Sequence, residues 1–188
     1  MAEVQNARLL DVAYTGFETS ETGGWSYNGV PATTYARTGE FGYQLSPGSG
    51  LSRTGLVPGR RYRVSVCVYG NTAPIFTGGT AISSFSESLG NNWSLYHFIF
   101  DSNGSIHINP PAAGSMWIDD VRLCPLGAKM TTYTYQPLVG ITSVTDSRGI
   151  TEYYEYDRLG RLSAIKDSEG NILKTHCYNY AGQQIDCF

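Results

Sequence analysis

The chain has 188 residues, of which 41% are hydrophobic, 13% aromatic and 15% charged, with 22 glycines. This apolar content argues against disorder, and low charge with many glycines and aromatic rings favours a loop-rich all-β protein. The formal net charge of −3 excludes the broad basic surface with which nucleic-acid-binding proteins neutralise phosphates. No apolar run reaches the roughly 20 residues that cross a bilayer. No secretory signal begins the chain, so we expect any export signal of the parent protein to lie upstream.

From about Val12 to Pro125, short strand-like segments alternate with turns built from Gly, Pro, Ser and Asn. Arg61–Tyr69 places Tyr62 and three valines on one face, which predicts a half-buried strand. Trp93–Phe100 is apolar on both faces, as expected of a central strand. Short strands at this spacing predict a sandwich or a barrel. The other candidate strands are Trp25–Asn28, Phe41–Leu45, Thr80–Phe85, Ser105–Asn109 and Met116–Leu123.

Three arginines, Arg60, Arg61 and Arg63, lie where the Arg61–Tyr69 strand begins. Because alternate residues of a strand point to opposite faces, we interpret them as a solvated strand start and not as a binding patch.

The four cysteines do not form a CxxC pattern, which argues against a zinc site. Cys177 and Cys187 close a short loop and could form a disulfide in an oxidising compartment, whereas four unpaired thiols is the other interpretation. The remaining two are Cys67 and Cys124.

After Pro125 the sequence becomes repetitive. Tyr133–Tyr153 and Tyr154–Lys174 align without gaps at an offset of 21 residues, and a degenerate third copy begins at Thr175. Each copy predicts a β-hairpin that ends in an Asp-Ser-x-Gly turn. One such unit cannot bury its apolar side alone, so we expect the array to pack on the sandwich, on another chain or on missing sequence.

The segment Tyr154–Leu162, which reads YEYDRLGRL, resembles the YD repeat of RHS and teneurin-type proteins. The resemblance extends over residues 130–188, as about two and a half copies. In that family long arrays wind into a β-sheet shell that can enclose a toxin. This chain has too few copies for that role.

The region 10–126 resembles the jelly-roll carbohydrate-binding modules of bacterial surface proteins and glycanases. The residues that carry the resemblance are Gly16-Phe17-Glu18, Gly24-Trp25 and Trp117–Leu123. The junction at 127–135 is similar to the one that joins such modules to YD repeats in surface proteins of the Bacteroidetes. The resemblance implies a jelly-roll, galactose-binding-like β-sandwich. It also implies a structural Ca²⁺ with Glu18 and Asp119 as ligands; the alternative is that both are ordinary surface or capping carboxylates.

Aromatic side chains are the first candidates for sugar binding, because pyranose rings stack on Trp and Tyr. Trp25 and Tyr27 lie beside glycines and Asn28, and we hypothesise that Trp25, Tyr27 and Tyr35 line a shallow sugar site. The competing interpretation is that these rings belong to the sandwich core.

Catalysis has little support in the sequence, so we do not expect an enzyme. The histidines, His97, His107 and His176, are isolated from nucleophile and metal motifs. Asp119 and Asp120 are strand neighbours on opposite faces, which does not suit the paired carboxylates of a glycosidase.

The leading functional hypothesis is non-catalytic recognition of a polysaccharide or glycan at the cell surface. One alternative is a structural or adhesion spacer that contacts other protein chains, including self-association through the unpaired edge of the repeats. A further alternative is an inert C-terminal part of a toxin-type surface protein.

Overall fold

The computed structural model describes residues 1–112 and 114–187, and its regular structure is almost entirely strand. Within those residues the only helical segment is a 3-10 turn at Leu9–Asp11, and no helix is long and apolar enough to cross a membrane. The all-β prediction is therefore confirmed. The strands are β1 (Ala2–Gln5), β2 (Ala13–Thr15), β3 (Tyr43–Leu45), β4 (Leu51–Thr54), β5 (Arg61–Tyr69), β6 (Ile75–Thr77), β7 (Thr80–Gly90), β8 (Trp93–Asp101), β9 (Ser105–Asn109), β10 (Met116–Pro125), β11 (Lys129–Gln136), β12 (Gly140–Thr145), β13 (Thr151–Tyr156), β14 (Leu162–Lys166), β15 (Ile172–Thr175), β16 (Cys177–Tyr178) and β17 (Gln184–Ile185).

Two antiparallel sheets form a sandwich from the first two thirds of the chain. The larger sheet has the strand order β2-β10-β5-β8-β7, with β3 also paired to β10, and the smaller sheet has the order β4-β9-β6. The predicted apolar face of β5 lies in the core, where Tyr62 and Val64 are fully buried together with Phe100 of β8. The sandwich is thus shown, whereas its assignment to the jelly-roll class stays a prediction.

The third sheet is the repeat array, a meander in the order β1-β11-β12-β13-β14-β15. Its turns follow the predicted chemistry. Oδ1 of Asp146 accepts the backbone N–H groups of Arg148 and Ile150, and Asp167 does the same one repeat later. Gly149 and Gly170 adopt φ of 92° and 87°, a left-handed conformation that favours glycine.

The N-terminal strand β1 belongs to the repeat sheet and not to the sandwich. It pairs antiparallel with β11, which sets Val4 opposite Met130. Ala2 and Val4 pack there against a small core formed by Met130, Ala128 and Cys124. The sequence predicted no strand before residue 10, and the division into domains at 10–126 and 130–188 stays a prediction.

The repeat sheet lies across the outer face of the larger sandwich sheet. Arg122 donates from Nη1 to the carbonyl of Asp146 over 3.0 Å and from Nη2 to Oγ1 of Thr132 over 2.7 Å. Arg63 donates to the carbonyl of Ser147 over 3.3 Å. The repeat side of this interface is a buried ladder of hydroxyl side chains from Thr132, Thr134, Ser143, Thr145 and Thr151.

These contacts correct one interpretation of the sequence. Arg61 is exposed and pairs with Asp101 at 2.8 Å, as a solvated strand start would. Arg63 is instead covered by the first repeat turn, because the repeat sheet occupies the polar face of β5. Of the three supports considered for the array, the sandwich is the one observed.

The cysteines divide into two pairs of different character. Cys177 and Cys187 form a disulfide that closes the β16–β17 hairpin. Cys67 and Cys124 are free thiols, buried in the outer face of the larger sandwich sheet.

Candidate functional site

Trp25 is a core residue. Its side chain is 1% exposed, and the indole Nε1 donates to the carbonyl of Val121 over 3.3 Å. Residues 25–28 form no strand, and only Ser26 makes a bridge, to Ser52. Of the two interpretations of Trp25, a sugar-binding ring or a core residue, the structure therefore agrees with the core residue, because the ring points inward against β10.

Tyr27 also packs inward. Its ring meets Tyr43 edge-on at a centroid distance of 5.1 Å and Phe17 at 5.5 Å. It is only partly buried, but its neighbours are the core aromatics of the sandwich. Trp25 and Tyr27 consequently do not join Tyr35 in one site.

Tyr35 lies on the surface in an aromatic group that the sequence did not reveal. Its ring is 37% exposed and stacks on Tyr69 at 4.1 Å, and it meets Trp117 edge-on at 5.7 Å. Tyr69 in turn meets Trp93 at 5.5 Å. We call Tyr35, Tyr69 and Trp117 the aromatic platform.

The platform is built by one face of the larger sheet and one loop. Tyr69 ends β5, and Trp117 lies near the start of β10, where its neighbours Met116 and Ile118 point into the core. The loop that carries Tyr35 can pack against the backbone at Gly42 because Gly42 has no side chain. A Cβ at Gly42 would collide with the carbonyl oxygen of Tyr35. Alternation along β5 is the signal that could have found Tyr69, since it shares the face of Arg63.

Polar groups accompany the rings. Gln44 lies opposite Trp117 in the β3–β10 pairing, and its Nε2 donates to Oγ of Ser115 over 3.2 Å. Both are exposed. Rings flanked by amide and hydroxyl groups can take the apolar face of a ligand and bond its hydroxyl groups at the same time.

The predicted calcium ligand Asp119 is fully buried among hydrogen-bond donors. Its Oδ2 accepts the backbone N–H groups of Arg37 and Thr38 over 2.8 and 3.0 Å, and its Oδ1 accepts that of Asp120. The adjacent Asp120 accepts from the Tyr14 hydroxyl and lies 3.6 Å from the Arg37 guanidinium. Burial, with the Asp120 carboxylate beside it, raises the pKa of Asp119 well above its ordinary value.

Glu18, the other predicted ligand, holds the same loop. Its carboxylate accepts the backbone N–H groups of Glu40 and Phe41, the latter over 2.9 Å. Burial raises the pKa of Glu18, and these donors act in the opposite direction. Asp119 and Glu18 together clamp the loop at residues 37–41 onto the sandwich.

This donor set does not fit a cation. The Asp119 and Glu18 oxygens face backbone N–H groups, whereas Ca²⁺ needs six to eight oxygen ligands. Among residues 1–112 and 114–187, no three His, Cys, Asp or Glu side chains are grouped to hold a metal. Calcium binding stays a prediction, drawn from the resemblance alone.

A second concave surface, the interlayer groove, runs between the sandwich edge and the repeat sheet. Its volume is about 1400 Å³. It could not be predicted from the sequence, because its two walls come from segments that are about ninety or more residues apart. Its walls include Tyr14, Glu18, Arg37, Phe41, Tyr135 and Tyr153.

The comparison with protein families concerns the repeat sheet. The family model described as RHS Repeat matches residues 139–172, which run from β12 to the start of β15. No curated protein matches the chain. Repeats of this family are typical of extracellular and cell-surface proteins. Residues 139–172 of this chain are therefore similar to an RHS repeat.

Proposed function

We propose that this chain is a non-catalytic glycan-recognition module of an RHS-repeat protein, and that the aromatic platform is its binding surface. The observation that carries the proposal is the stack of Tyr35 on Tyr69 with Trp117 at its edge, in which Tyr35 is 37% exposed and the other two rings are half-buried. Buried aromatic rings stabilise a fold, whereas rings grouped at the surface offer the flat apolar face that a sugar ring can cover.

Binding without catalysis agrees with the state of the carboxylates. Asp119 and Asp120 are 0% and 1% exposed and are saturated by donors from Arg37, Thr38 and Tyr14. A glycosidase needs two carboxyl groups that flank a bond in a substrate. These two instead hold a loop.

The proposed location is the cell surface. The RHS repeat supports it, as does the disulfide between Cys177 and Cys187, since disulfides persist in oxidising compartments. The jelly-roll-type sandwich suggested by the sequence fits the same setting.

The test begins with a glycan array and continues with calorimetric titration of any bound glycan. We expect Trp117→Ala and Tyr35→Ala to weaken binding by about tenfold or more, as the loss of a stacking ring does. Tyr180→Ala is the matched control, because that ring is fully exposed and remote from the platform contacts.

A third variant separates the two surfaces. Tyr135 lines the interlayer groove and is 44% exposed. Unchanged affinity in Tyr135→Ala with loss in Trp117→Ala supports the platform. The reverse pattern would transfer the site to the groove and end this proposal.

The second candidate, an adhesion spacer, is favoured by the exposed sheet edges. Strand β7 ends the larger sheet and is exposed from Thr80 to Ser88, including Ile82 and Phe85 at 46% and 53%. Unpaired edges of this kind can add a strand from another chain. The spacer hypothesis predicts a folded protein that binds no glycan and is a dimer by light scattering. It also predicts that Ile82→Lys is a monomer. A monomer that binds no glycan would support the remaining alternative, an inert C-terminal part of a toxin-type surface protein.

A further inference from the structure

A small, partly open cavity lies between the larger sandwich sheet and the first repeat turn, and it shares Met130 with the interlayer groove. About 10 Å³ of it is open to the centre of a water-sized sphere, enough for a single small group. Its charged or ionisable walls are Arg63, His97, Arg122 and the thiol of Cys124, and no carboxylate lines it.

The two arginines have no acidic partner there. Among the described residues neither Arg63 nor Arg122 makes a salt bridge, and their protein acceptors are the carbonyls of Ser147 and Asp146 and the hydroxyl of Thr132. The Asp146 carboxylate is turned away to Arg148. Burial raises the pKa of Cys124, so its thiol stays neutral and supplies no negative charge. Charges taken out of water without a counter-charge are costly, and Arg122 is only 7% exposed.

Two nitrogen atoms of the cavity residues are buried and lack a partner. They are Nε of Arg122 and Nδ1 of His97, and the His97 side chain is 6% exposed. Nε of Arg122 can only donate. Nε2 of His97 lies 3.4 Å from the Glu87 carboxylate, and burial lowers the pKa of the ring, so His97 borders the cavity without adding a charge at neutral pH.

The repeat turn covers one side of the cavity. Gly149, at φ of 92°, sits so near Leu95 that an added Cβ would collide with that side chain. The walls therefore come from both layers, and anything bound between them connects the repeat sheet to the sandwich.

We infer that this cavity binds one small monovalent inorganic anion, such as chloride, held between Arg63 and Arg122 beside His97. The anion supplies the missing counter-charge and an acceptor for the free Arg122 donor. Because it contacts both layers, it binds the folded chain and not the unfolded one, and so raises the unfolding temperature.

The first test is thermal unfolding of the full chain in sodium chloride and in sodium gluconate at equal ionic strength, since gluconate is too large for the cavity. We expect Tm in chloride to exceed that in gluconate by roughly 3–6 °C, with the difference lost in Arg122→Met. Arg158→Met is the matched control, because it removes an exposed arginine from the second repeat and should keep the full difference.

The second test does not depend on a variant that folds. Crystals of the unaltered protein grown in sodium bromide should give an anomalous peak between Arg63 and Arg122. Density without an anomalous signal would mean an ordered water and would overturn the inference. Equal Tm in the two salts, or a chloride effect that survives in folded Arg122→Met, would overturn it as well.

Discussion

Replacing Gly149 with alanine tests whether the first repeat turn packs on the sandwich. A non-glycine residue in the left-handed region costs about 1–2 kcal/mol. At Gly149 the added methyl group also meets Leu95, which is 3% exposed and packed against Trp93 and Cys67. Overpacking of that kind adds about 1–3 kcal/mol, so we expect a total destabilisation of about 2–5 kcal/mol.

The repeat supplies its own control. Gly170 occupies the same turn position 21 residues later, at φ of 87°, and an added Cβ there meets nothing within 4 Å. Gly170→Ala should therefore cost only the backbone part, about 1–2 kcal/mol. Urea unfolding followed by tryptophan fluorescence measures both variants, and Trp93 reports directly on the Leu95 cluster. Equal losses of stability in the two variants would refute the packing of this turn against Leu95.

Three further outcomes follow from the clamp and the interface. Asp119→Asn should lower the free energy of unfolding, measured by urea titration, by about 1–3 kcal/mol, because the new amide group would direct an N–H donor toward backbone N–H groups. The control is Asp101→Asn, at a carboxylate on the surface, which should cost less than about 1 kcal/mol in the same titration. Burial lowers the pKa of His97 despite Glu87, so its contribution to stability is present above about pH 6.5 and falls as the pH drops. In chloride-free buffer, His97→Phe should accordingly lose less stability than the unaltered chain between about pH 7.5 and pH 5.5, and parallel pH curves would contradict this. Finally, Tm should be the same in millimolar calcium as in a chelator, because the Glu18 and Asp119 oxygens already accept N–H groups. A clear rise of Tm in calcium would instead support the calcium site that the resemblance implies.

The repeat turns and the main strands were predictable from the sequence because local chemistry determines them. Asp146 and Gly149 form the turn that their residue types indicate, and the alternation in Arg61–Tyr69 identifies the buried face of β5. These features depend on residues within a few positions of one another, so the sequence alone predicts them.

The interface and the platform were not predictable because they depend on distant partners. Arg63 has the pattern of a solvent-facing strand residue, and only the repeat sheet, some eighty residues away, turns that polar face into an interface. The glycines beside Trp25 left open whether its ring is exposed. The carbonyl of Val121, almost a hundred residues away, accepts the indole N–H and holds the ring in the core. Trp117 lies in a predicted strand and was interpreted as a core residue, yet its ring meets Tyr35 from a distant loop on the outer face of the sheet.

The most direct test of the proposed function is a glycan array probed side by side with the folded unaltered chain and folded Trp117→Ala. The account predicts that the unaltered chain binds a defined class of glycan and that Trp117→Ala loses that signal. No binding by the unaltered chain, or an identical pattern from both proteins, would contradict recognition through the aromatic platform.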